Sequence, residues 1–430
     1  MHIYFSGMGG AGIGPLALIA KESGFTVSGS DKKPSSYINY LAKKGIKTHI
    51  GQKTNAFISE IHANTPIDWF VYSSALPLEN PNHPELKFVK NNNIKYSKRD
   101  EFLNYLLKIK KLKMLAVAGT HGKTTTTGML VWIMQKIGIP ISYSLGAKTS
   151  FAEMGSYDPK SEYFIYECDE FDKNFLAFNP FRSIIASVDW DHHEIYPTRG
   201  SYKDAFRQFI ANSSKNYLFI KDAEYLNLDI HTENLVRVSE STIEKKQIQL
   251  YGEHNRRNAL LCVEMLAELT GHSKPQLIKI VNQFPGTSRR FEKISDNVFT
   301  DYAHAPEEIA ATLQLASEHP NKGIVAVYEP LTDRRQHFMK DGYRDVFEKA
   351  EIVYWLPSYL AREDPTQQLI QPSELIAGLN KDTGSVHIET IGDSLKNKLL
   401  EHNKSGKTII FLAGGGGGSL DDWARLNFSY

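Results

Sequence analysis

The sequence predicts an α/β fold of mostly parallel sheets, divided into three domains over 430 residues. Three observations carry this prediction. Short apolar runs alternate with segments of helical period from one end of the chain to the other. Glycine or anion-type loops fall at the ends of predicted strands, where ligands of open α/β sheets bind. A lysine-rich stretch, Lys108-Ile109-Lys110-Lys111-Leu112-Lys113, separates the first set of elements from a fresh strand. The expected domains are 1–107, 108–288 and 289–430.

The elements follow in order. Ile3-Tyr4-Phe5 is a buried strand leading into a glycine loop, a helix runs through Leu16 to Lys21, and Val27 marks a second strand. Residues 67–73 form another strand, ending in Ser-Ser-Ala-Leu-Pro. In the middle of the chain, residues 114–118, 163–166 and 183–188 read as strands with helices between them. After Arg290, strands are expected at 297–300, 323–328, 351–356 and 408–413, and helices at 306–317, 343–349 and 394–400. There is no internal repeat, and the one low-complexity tract is Gly414 to Gly418.

Composition excludes several classes. Apolar residues make up 41% and charged residues 23%, as in a globular protein rather than a disordered one. Fifty basic residues against 49 acidic leave a net charge of +1, without the positive field of a nucleic-acid binder. The two cysteines, Cys168 and Cys262, lie far apart and form neither a disulfide framework nor a zinc motif, which suits a reducing compartment. The N-terminal MHIYFSGMGGAGIGP lacks the pattern of a signal peptide, and no apolar run is long enough to span a membrane. A cytoplasmic protein, with no membrane partner and acting as a monomer or homodimer, is expected.

Gly7-Met8-Gly9-Gly10-Ala11-Gly12 satisfies GxGxxG after a strand and before a helix. Glycines permit the tight turn, and the helix N-terminal amides face a diphosphate. Asp31 lies about 20 residues further on, where a carboxylate can take a ribose hydroxyl. This Rossmann-like loop alone serves NAD, FAD or a UDP-sugar equally well. Gly119-Thr120-His121-Gly122-Lys123-Thr124 follows the apolar strand at 114–118 and opens a helix through Thr125. Its backbone amides suit phosphates, Lys123 the terminal ones, and the Thr124 hydroxyl a Mg²⁺ ion. The spacing is a shorter variant of the P-loop, because Val117 stands where GxxxxGK[ST] requires glycine. A phosphate loop in the second domain implies a nucleoside triphosphate, so the first loop binds something else.

With GMGGAGIG near the N-terminus and GTHGKTTTT in the second domain, the chain resembles the Mur ligases of peptidoglycan precursor synthesis over essentially its whole length. Gly29-Ser30-Asp31, Ser73-Ser74-Ala75 and Asn80-Pro81 belong to the likeness. The resemblance implies a Rossmann-like N-terminal domain, a central P-loop ATPase-type domain and a Rossmann-like C-terminal domain that closes on ATP and the amino acid. It implies that Gly7, Gly9, Gly10, Ala11, Gly12, Asp31, Ser73 and Ser74 bind a UDP-sugar. ATP would be bound by Gly119, Thr120, His121, Gly122, Lys123, Thr124 and Thr125.

Further motifs extend the resemblance. Glu167-Cys168-Asp169-Glu170-Phe171-Asp172 and Asp191-His192 look like the family's acidic segment and DH pair. They imply Lys123, Glu167 and His192 as catalytic residues, with Thr124, Glu167 and His192 holding Mg²⁺. Gly252-Glu253-His254-Asn255-Arg256-Arg257-Asn258 resembles GxHNxxN and implies adenine contact by Asn255. Asp301-Tyr302-Ala303-His304 resembles the family's DYxH element, placing Asp301 and His304 on the nucleotide. Arg290, Tyr302, Arg334 and Arg335 would hold the incoming amino acid's carboxylate, a bidentate task that suits arginine.

The implied reaction is ATP-dependent amide formation. Its substrates would be UDP-N-acetylmuramate and L-alanine, or a murein peptide, joined through an acyl phosphate. Several members use a carbamylated lysine about 15 residues beyond the DH histidine. Here Ala205-Phe206-Arg207 holds no lysine in register, which speaks against the members adding later residues. The segment YEPLTDRRQ departs from the alanine-adding pattern, whereas His192-His193-Glu194-Ile195-Tyr196 keeps to it. Outside ligases, the rivals are an NAD-dependent oxidoreductase using the first glycine loop and a regulatory NTPase. Folylpolyglutamate-type ligation is disfavoured by the N-terminal glycine domain.

Overall fold

The computed structural model describes residues 1–192, 195–229, 231–358, 368–380, 385–414 and 419–429, without the side chains of Leu78 and Arg334. His193, Glu194 and Gly415 to Gly418 therefore lie outside the described residues, as does the side chain of Arg334.

Eighteen described strands form three sheets. The first contains β1 (His2–Ser6), β2 (Thr26–Asp31), β3 (Lys47–Ile50), β4 (Trp69–Tyr72) and β5 (Lys95–Lys98), in the order β3-β2-β1-β4-β5 and all parallel. The chain reverses direction of travel between β1 and β4, the switch point at which open sheets take their ligands. Tyr4 and Phe70 face one apolar cluster, while Ile3, Phe5, Trp69 and Val71 face another. Both faces are covered, so these strands read as continuous apolar runs.

The second sheet contains β6 (Lys113–Ala118), β7 (Ile141–Ser144), β8 (Gly155–Ser156), β9 (Tyr163–Glu167), β10 (Arg182–Ile185), β11 (Asn216–Phe219) and β12 (Leu235–Val238). Its order is β12-β11-β10-β6-β9-β7-β8, with β7–β8 antiparallel. The third contains β13 (Glu292–Ser295), β14 (Val298–Asp301), β15 (Ile324–Glu329), β16 (Ile352–Trp355), β17 (Val386–Ile388) and β18 (Thr408–Ala413). Its order is β13-β14-β18-β15-β16-β17, with the β13–β14 pair antiparallel. No described helix is long and apolar enough to cross a membrane.

The chain divides into two compact units. Met1–Ile248 with Arg257–Phe284 is one, and Gln249–Arg256 with Pro285–Tyr430 the other. The first unit holds two sheets because one apolar cluster joins them, running from Ile3 and Phe5 through Leu106 and Met114 to Phe164 and Phe206.

Two expectations are corrected. The helix expected at 343–349 is a 3₁₀ turn, Lys340–Tyr343, followed by turns. Tertiary contacts override the helical pattern there: Tyr343 is buried, and its hydroxyl bonds Tyr328 and Gln336 at 2.7 and 2.9 Å. The strand expected at 183–188 pairs only through Ile185, after which the chain supports the phosphate loop.

Helix Glu253–Thr270 contributes its first turn to the second unit. There the Arg256 guanidinium grips the Glu318 carboxylate bidentately at 2.8 and 2.9 Å, and the Gly252 amide donates to the same carboxylate at 2.9 Å. The Arg256 hydrogen bond holds the Glu318 carboxyl down at about 2. Its stabilisation is therefore fully present above the ordinary glutamate value and is lost as pH falls through about 2. Glu318→Gln should lower the melting temperature at pH 7, with the gap to wild type narrowing as pH falls below 4.5 toward 2. Thermal denaturation across that range checks it.

Candidate active site

β6 is buried along its length except at Lys113 and ends in the phosphate loop. Gly119 and Gly122 take φ of +137° and +82°, conformations that exclude most side chains. A Cβ on Gly122 would stand 2.8 Å from Asn258 Nδ2, so the buried Asn258 packs beneath the loop. Thr120 is fixed on three sides. Its hydroxyl donates to the Asp189 carbonyl at 2.7 Å, accepts the Asp189 amide at 2.8 Å and shares a 2.7 Å bond with buried Tyr202. The His121 amide donates to Ser187 Oγ at 3.0 Å.

Lys123 opens helix Lys123–Lys136, and its ammonium donates to the carbonyls of Gly119 and Thr120 at 2.6 and 3.1 Å. It also meets Glu170 at 2.8 Å, and the Glu170 side chain is 0% exposed. Burial pulls the lysine's pKa down, but the carboxylates of Glu170 and Asp169 outweigh it and leave the value raised. Burial likewise pushes Glu170 up, while Lys123 and His192 outweigh that and leave it below the ordinary range. Both groups are therefore charged at neutral pH. Tyr196, buried, donates its hydroxyl to the Glu170 carbonyl at 2.7 Å and so holds the acidic segment in place.

The expected metal trio is distributed over two adjoining pairings. Thr124 Oγ1 donates to Glu167 Oε1 at 2.9 Å, and the Gly146 amide donates to Glu167 Oε2 at 3.1 Å. His192, with φ of +53°, instead stands 3.5 Å from Glu170. Ligand atoms of Asp169, Glu170 and His192 lie within 4.8 Å of one another. Across the two pairings the donors are mostly oxygens, the carboxylates of Glu167, Asp169 and Glu170 and the hydroxyl of Thr124, and such donors fit a hard divalent cation. Cys168, between these residues, is buried, and burial pushes its thiol well above the usual value. It is a packing residue.

In the first sheet, the glycine loop spends the amides of Gly7 to Gly10 within the protein, most of them on the end of β2. Gly7 and Met8 donate to the Ser30 carbonyl at 2.9 and 3.1 Å, and Gly10 to the Gly7 carbonyl at 3.1 Å. The Asp31 carboxylate, expected at a ribose, accepts the Gly9 amide at 2.8 Å and the Lys33 amide at 3.0 Å. It braces the loop. The hydroxyl of Ser73 caps the Ala75 amide at 3.3 Å, and Ser74 precedes the helix Ala75–Glu79. Beneath the loop, the buried Glu85 carboxylate collects the hydroxyls of Tyr4, Ser6 and Ser30 at 2.6–2.7 Å and pins the ends of β1 and β2.

The second unit carries the remaining expected residues. Asp301, at the end of β14, accepts the amides of Phe291 and Ala303 at 2.7 and 2.8 Å, and burial raises it to about 6. Tyr302 lies beneath the guanidinium groups of Arg289 and Arg290, 4.6 and 5.3 Å from its ring centre. His304 stands 3.2 Å from Glu308, which is 3.7 Å from Arg290, and feels the charges of Arg335 and Arg290. Arg290, Tyr302 and His304 thus form one cluster with Arg335 within electrostatic reach. Asn255 donates to the Tyr251 carbonyl at 3.0 Å. Glu170, Asn258, Tyr196 and Tyr202 support the phosphate loop and the acidic segment without being marked as site residues by the sequence; GxHNxxN carries a signal for Asn258, its last position.

Three family models match the chain: "Mur ligase family, catalytic domain" over residues 2–111, "Mur ligase middle domain" over 117–238 and "Mur ligase, glutamate ligase domain" over 289–416. A UDP-N-acetylmuramate–L-alanine ligase of Clostridium acetobutylicum is 31% identical, covering 92% of this chain and 92% of that protein. Among solved structures, a UDP-N-acetylmuramate-alanine ligase from Thermotoga maritima aligns with a TM-score of 0.75 at 22% identity, over 99% of this chain and 98% of that one. A murein peptide ligase from Psychrobacter arcticus gives 0.64 at 24%, over 97% and 96%. At these identities the two structures show the same fold. The phosphate loop with its acidic segment, on a three-sheet α/β scaffold, is that of an ATP-dependent ligase. The chain belongs to the Mur ligase family. Nothing in these likenesses supports the oxidoreductase alternative.

Two substitutions test the geometry. Glu170→Gln leaves the Lys123 charge without its buried partner and should cost about 3–5 kcal/mol of stability. Thermal melts with and without ATP should show a drop that nucleotide partly restores. Gly122→Ala, with its clash at Asn258, should weaken ATP binding at least about tenfold, since even one lost charge-assisted contact is worth that. Gly271→Ala has a similar φ of +72° but no neighbour within 4 Å, and should leave calorimetric ATP affinity unchanged.

Proposed function

We propose that this chain joins L-alanine to the lactyl carboxylate of UDP-N-acetylmuramate, converting ATP to ADP and phosphate. The observation that carries the reading is the Lys123–Glu170 phosphate loop, set in the same compact unit as a second nucleotide-type glycine loop. Two nucleotide-type loops in one unit suit a reaction in which one nucleotide activates a group carried by another. The amino-acid assignment is supported by relatives such as the 31% identical clostridial UDP-N-acetylmuramate–L-alanine ligase.

A carboxylate is a poor acyl donor, and phosphorylation makes it a good one. The sugar's carboxylate oxygen attacks the γ-phosphorus and ADP leaves. The amine of alanine then attacks the acyl phosphate, forming the amide and releasing phosphate. Lys123 exchanges its loop carbonyls for phosphate oxygens and stabilises the charge spread over them during transfer. Glu170 keeps Lys123 protonated and aimed. Thr124, Glu167, Asp169, Glu170 and His192 would hold Mg²⁺, which neutralises phosphoryl charge when bound. In the second unit, Arg290 and Arg335 offer guanidinium groups to the amino acid's carboxylate, with Arg334 in the same helix, Asp333–Met339. A reaction that consumes ATP and a UDP-linked sugar suits a cytoplasmic protein.

A murein peptide as the amine substrate is favoured by one observation, the departure of Tyr328-Glu329-Pro330-Leu331-Thr332 from the alanine-adding pattern. ADP release with ATP, Mg²⁺ and UDP-N-acetylmuramate should appear with L-alanine and vanish on chelation of the metal. Release only with L-Ala-γ-D-Glu-meso-diaminopimelate would instead assign the peptide. Lys123→Ala should abolish turnover while sparing UDP-sugar binding; ligation that survived it would remove the phosphoryl-transfer assignment.

A further inference from the structure

Arg99 stands where the first sheet's glycine loop meets the second sheet's acidic segment. It follows β5 directly and opens helix Arg99–Lys110. A Cβ on Gly12 would collide with its Nη1, so the guanidinium lies against the last glycine of the first loop, at the start of helix Ile13–Glu22. Its Nη2 is 3.6 Å from the Asp169 carboxylate, in the acidic segment that also carries Glu170. Next to it, Lys98 pairs with Asp172 of the same segment at 2.6 Å. The dipeptide Lys98-Arg99 therefore ties the first sheet's glycine loop to the second sheet's acidic segment.

The two members of the dipeptide differ in how fully they are used. Lys98 is engaged by a short hydrogen-bonded ion pair. Arg99 is four-fifths buried, yet among the described residues its guanidinium makes no hydrogen bond, and its carboxylate partner at 3.6 Å lies beyond hydrogen-bond reach. Five N–H donors in a rigid fork, held mostly out of water and only loosely paired, are arranged for a further oxyanion. The glycine loop's own chemistry points the same way. With the amides of Gly7, Met8, Gly9 and Gly10 spent internally, its anion-binding capacity shifts to the end beside Gly12, where Arg99 sits.

We propose that Arg99 binds an oxyanion of the UDP-linked sugar, either its diphosphate or its lactyl carboxylate, and so positions the acceptor beside the acidic segment. The inference rests on the functional reading above, and it adds a substrate contact from a residue outside every motif of the first loop. A guanidinium that neutralises the acceptor's charge also lowers its repulsion from Asp169 and from the phosphates of ATP.

Binding of UDP-N-acetylmuramate and of UDP-N-acetylglucosamine, which keeps the diphosphate but lacks the lactyl carboxylate, is measured by calorimetry for wild type, Arg99→Lys, Arg99→Gln and Arg99→Ala. Loss of a charge-assisted bidentate contact should weaken binding on the order of 10- to 100-fold in Arg99→Gln and Arg99→Ala, with partial recovery in Arg99→Lys. Weakening with both sugars assigns the diphosphate, and weakening with the muramate alone assigns the carboxylate. In turnover, KM for the UDP-sugar should rise while KM for ATP holds. Unchanged affinity for both sugars in correctly folded variants, or an equal rise of both KM values, would overturn the inference and leave Arg99 a strut between loops. Wild type that binds neither sugar would overturn the functional reading and the inference with it. Should Arg99→Ala fail to fold, Arg99→Gln and Arg99→Lys carry the same comparison.

Discussion

The buried ion pair between Lys123 and Glu170 is the constraint around which the first unit is arranged. A lysine ammonium removed from water is tolerated only beside a counter-charge that is itself fixed. Glu170 lies three residues after Val117's strand partner Glu167, so the pair exists only because β6 and β9 are adjacent and in parallel register. β10 on the other flank of β6 brings Ser187 and Asp189 to the loop, where they hold Thr120 and His121. Sheet order, strand register and the phosphate loop are consequences of one another.

The same dependence explains what could be read from the amino-acid sequence. The phosphate loop was legible because its parts are contiguous: an apolar strand, two glycines, a lysine and a helix. Burial of both sheet faces made the strands legible too, since Val325 and Val327 face one cluster while Ala326 and Tyr328 face the other. Glu170, by contrast, sits among three other acidic residues within six positions, and nothing local distinguishes the buried one from its neighbours. Asn258 and Tyr202 act on the loop from 136 and 82 residues away from Gly122 and Thr120 in sequence, through packing that no spacing rule encodes. Asp31 shows the converse: it ends β2 as the spacing suggests, and its carboxylate also accepts the Gly9 amide, a bond that no spacing announces.

Backbone strain marks the same places that the chemistry does. Among the described residues, nine other than glycine have positive φ. Asn93, Asn227 and Asn297 are of a type that tolerates this region, and Lys111 closes helix Arg99–Lys110 as its left-handed cap. The other five are Asp172, Lys173, His192, Arg289 and Phe291, each in or directly beside the acidic segment, the DH pair or the arginine cluster. Each such residue costs on the order of 1–3 kcal/mol, so the surroundings must over-determine it.

The structure shows what supplies that determination. Lys98 pairs with Asp172, the Lys173 amide bonds the Glu170 carbonyl at 3.0 Å, and the amides of Ile195 and Tyr196 close on the His192 carbonyl at 2.8 and 2.9 Å. In the second unit the Arg289 amide bonds Glu292 at 2.7 Å, and the Phe291 amide bonds Asp301 at the same distance. Relaxing any of these turns would move a charged side chain off its partner: Glu170 from Lys123, His192 from Glu170, or Arg290 from Glu308. The strain and the electrostatics thus stabilise each other. Charges that repel or desolvate poorly are held close by a backbone that only those charges' own partners keep in place, which is the pre-organisation that phosphoryl transfer requires of a site acting by position and charge.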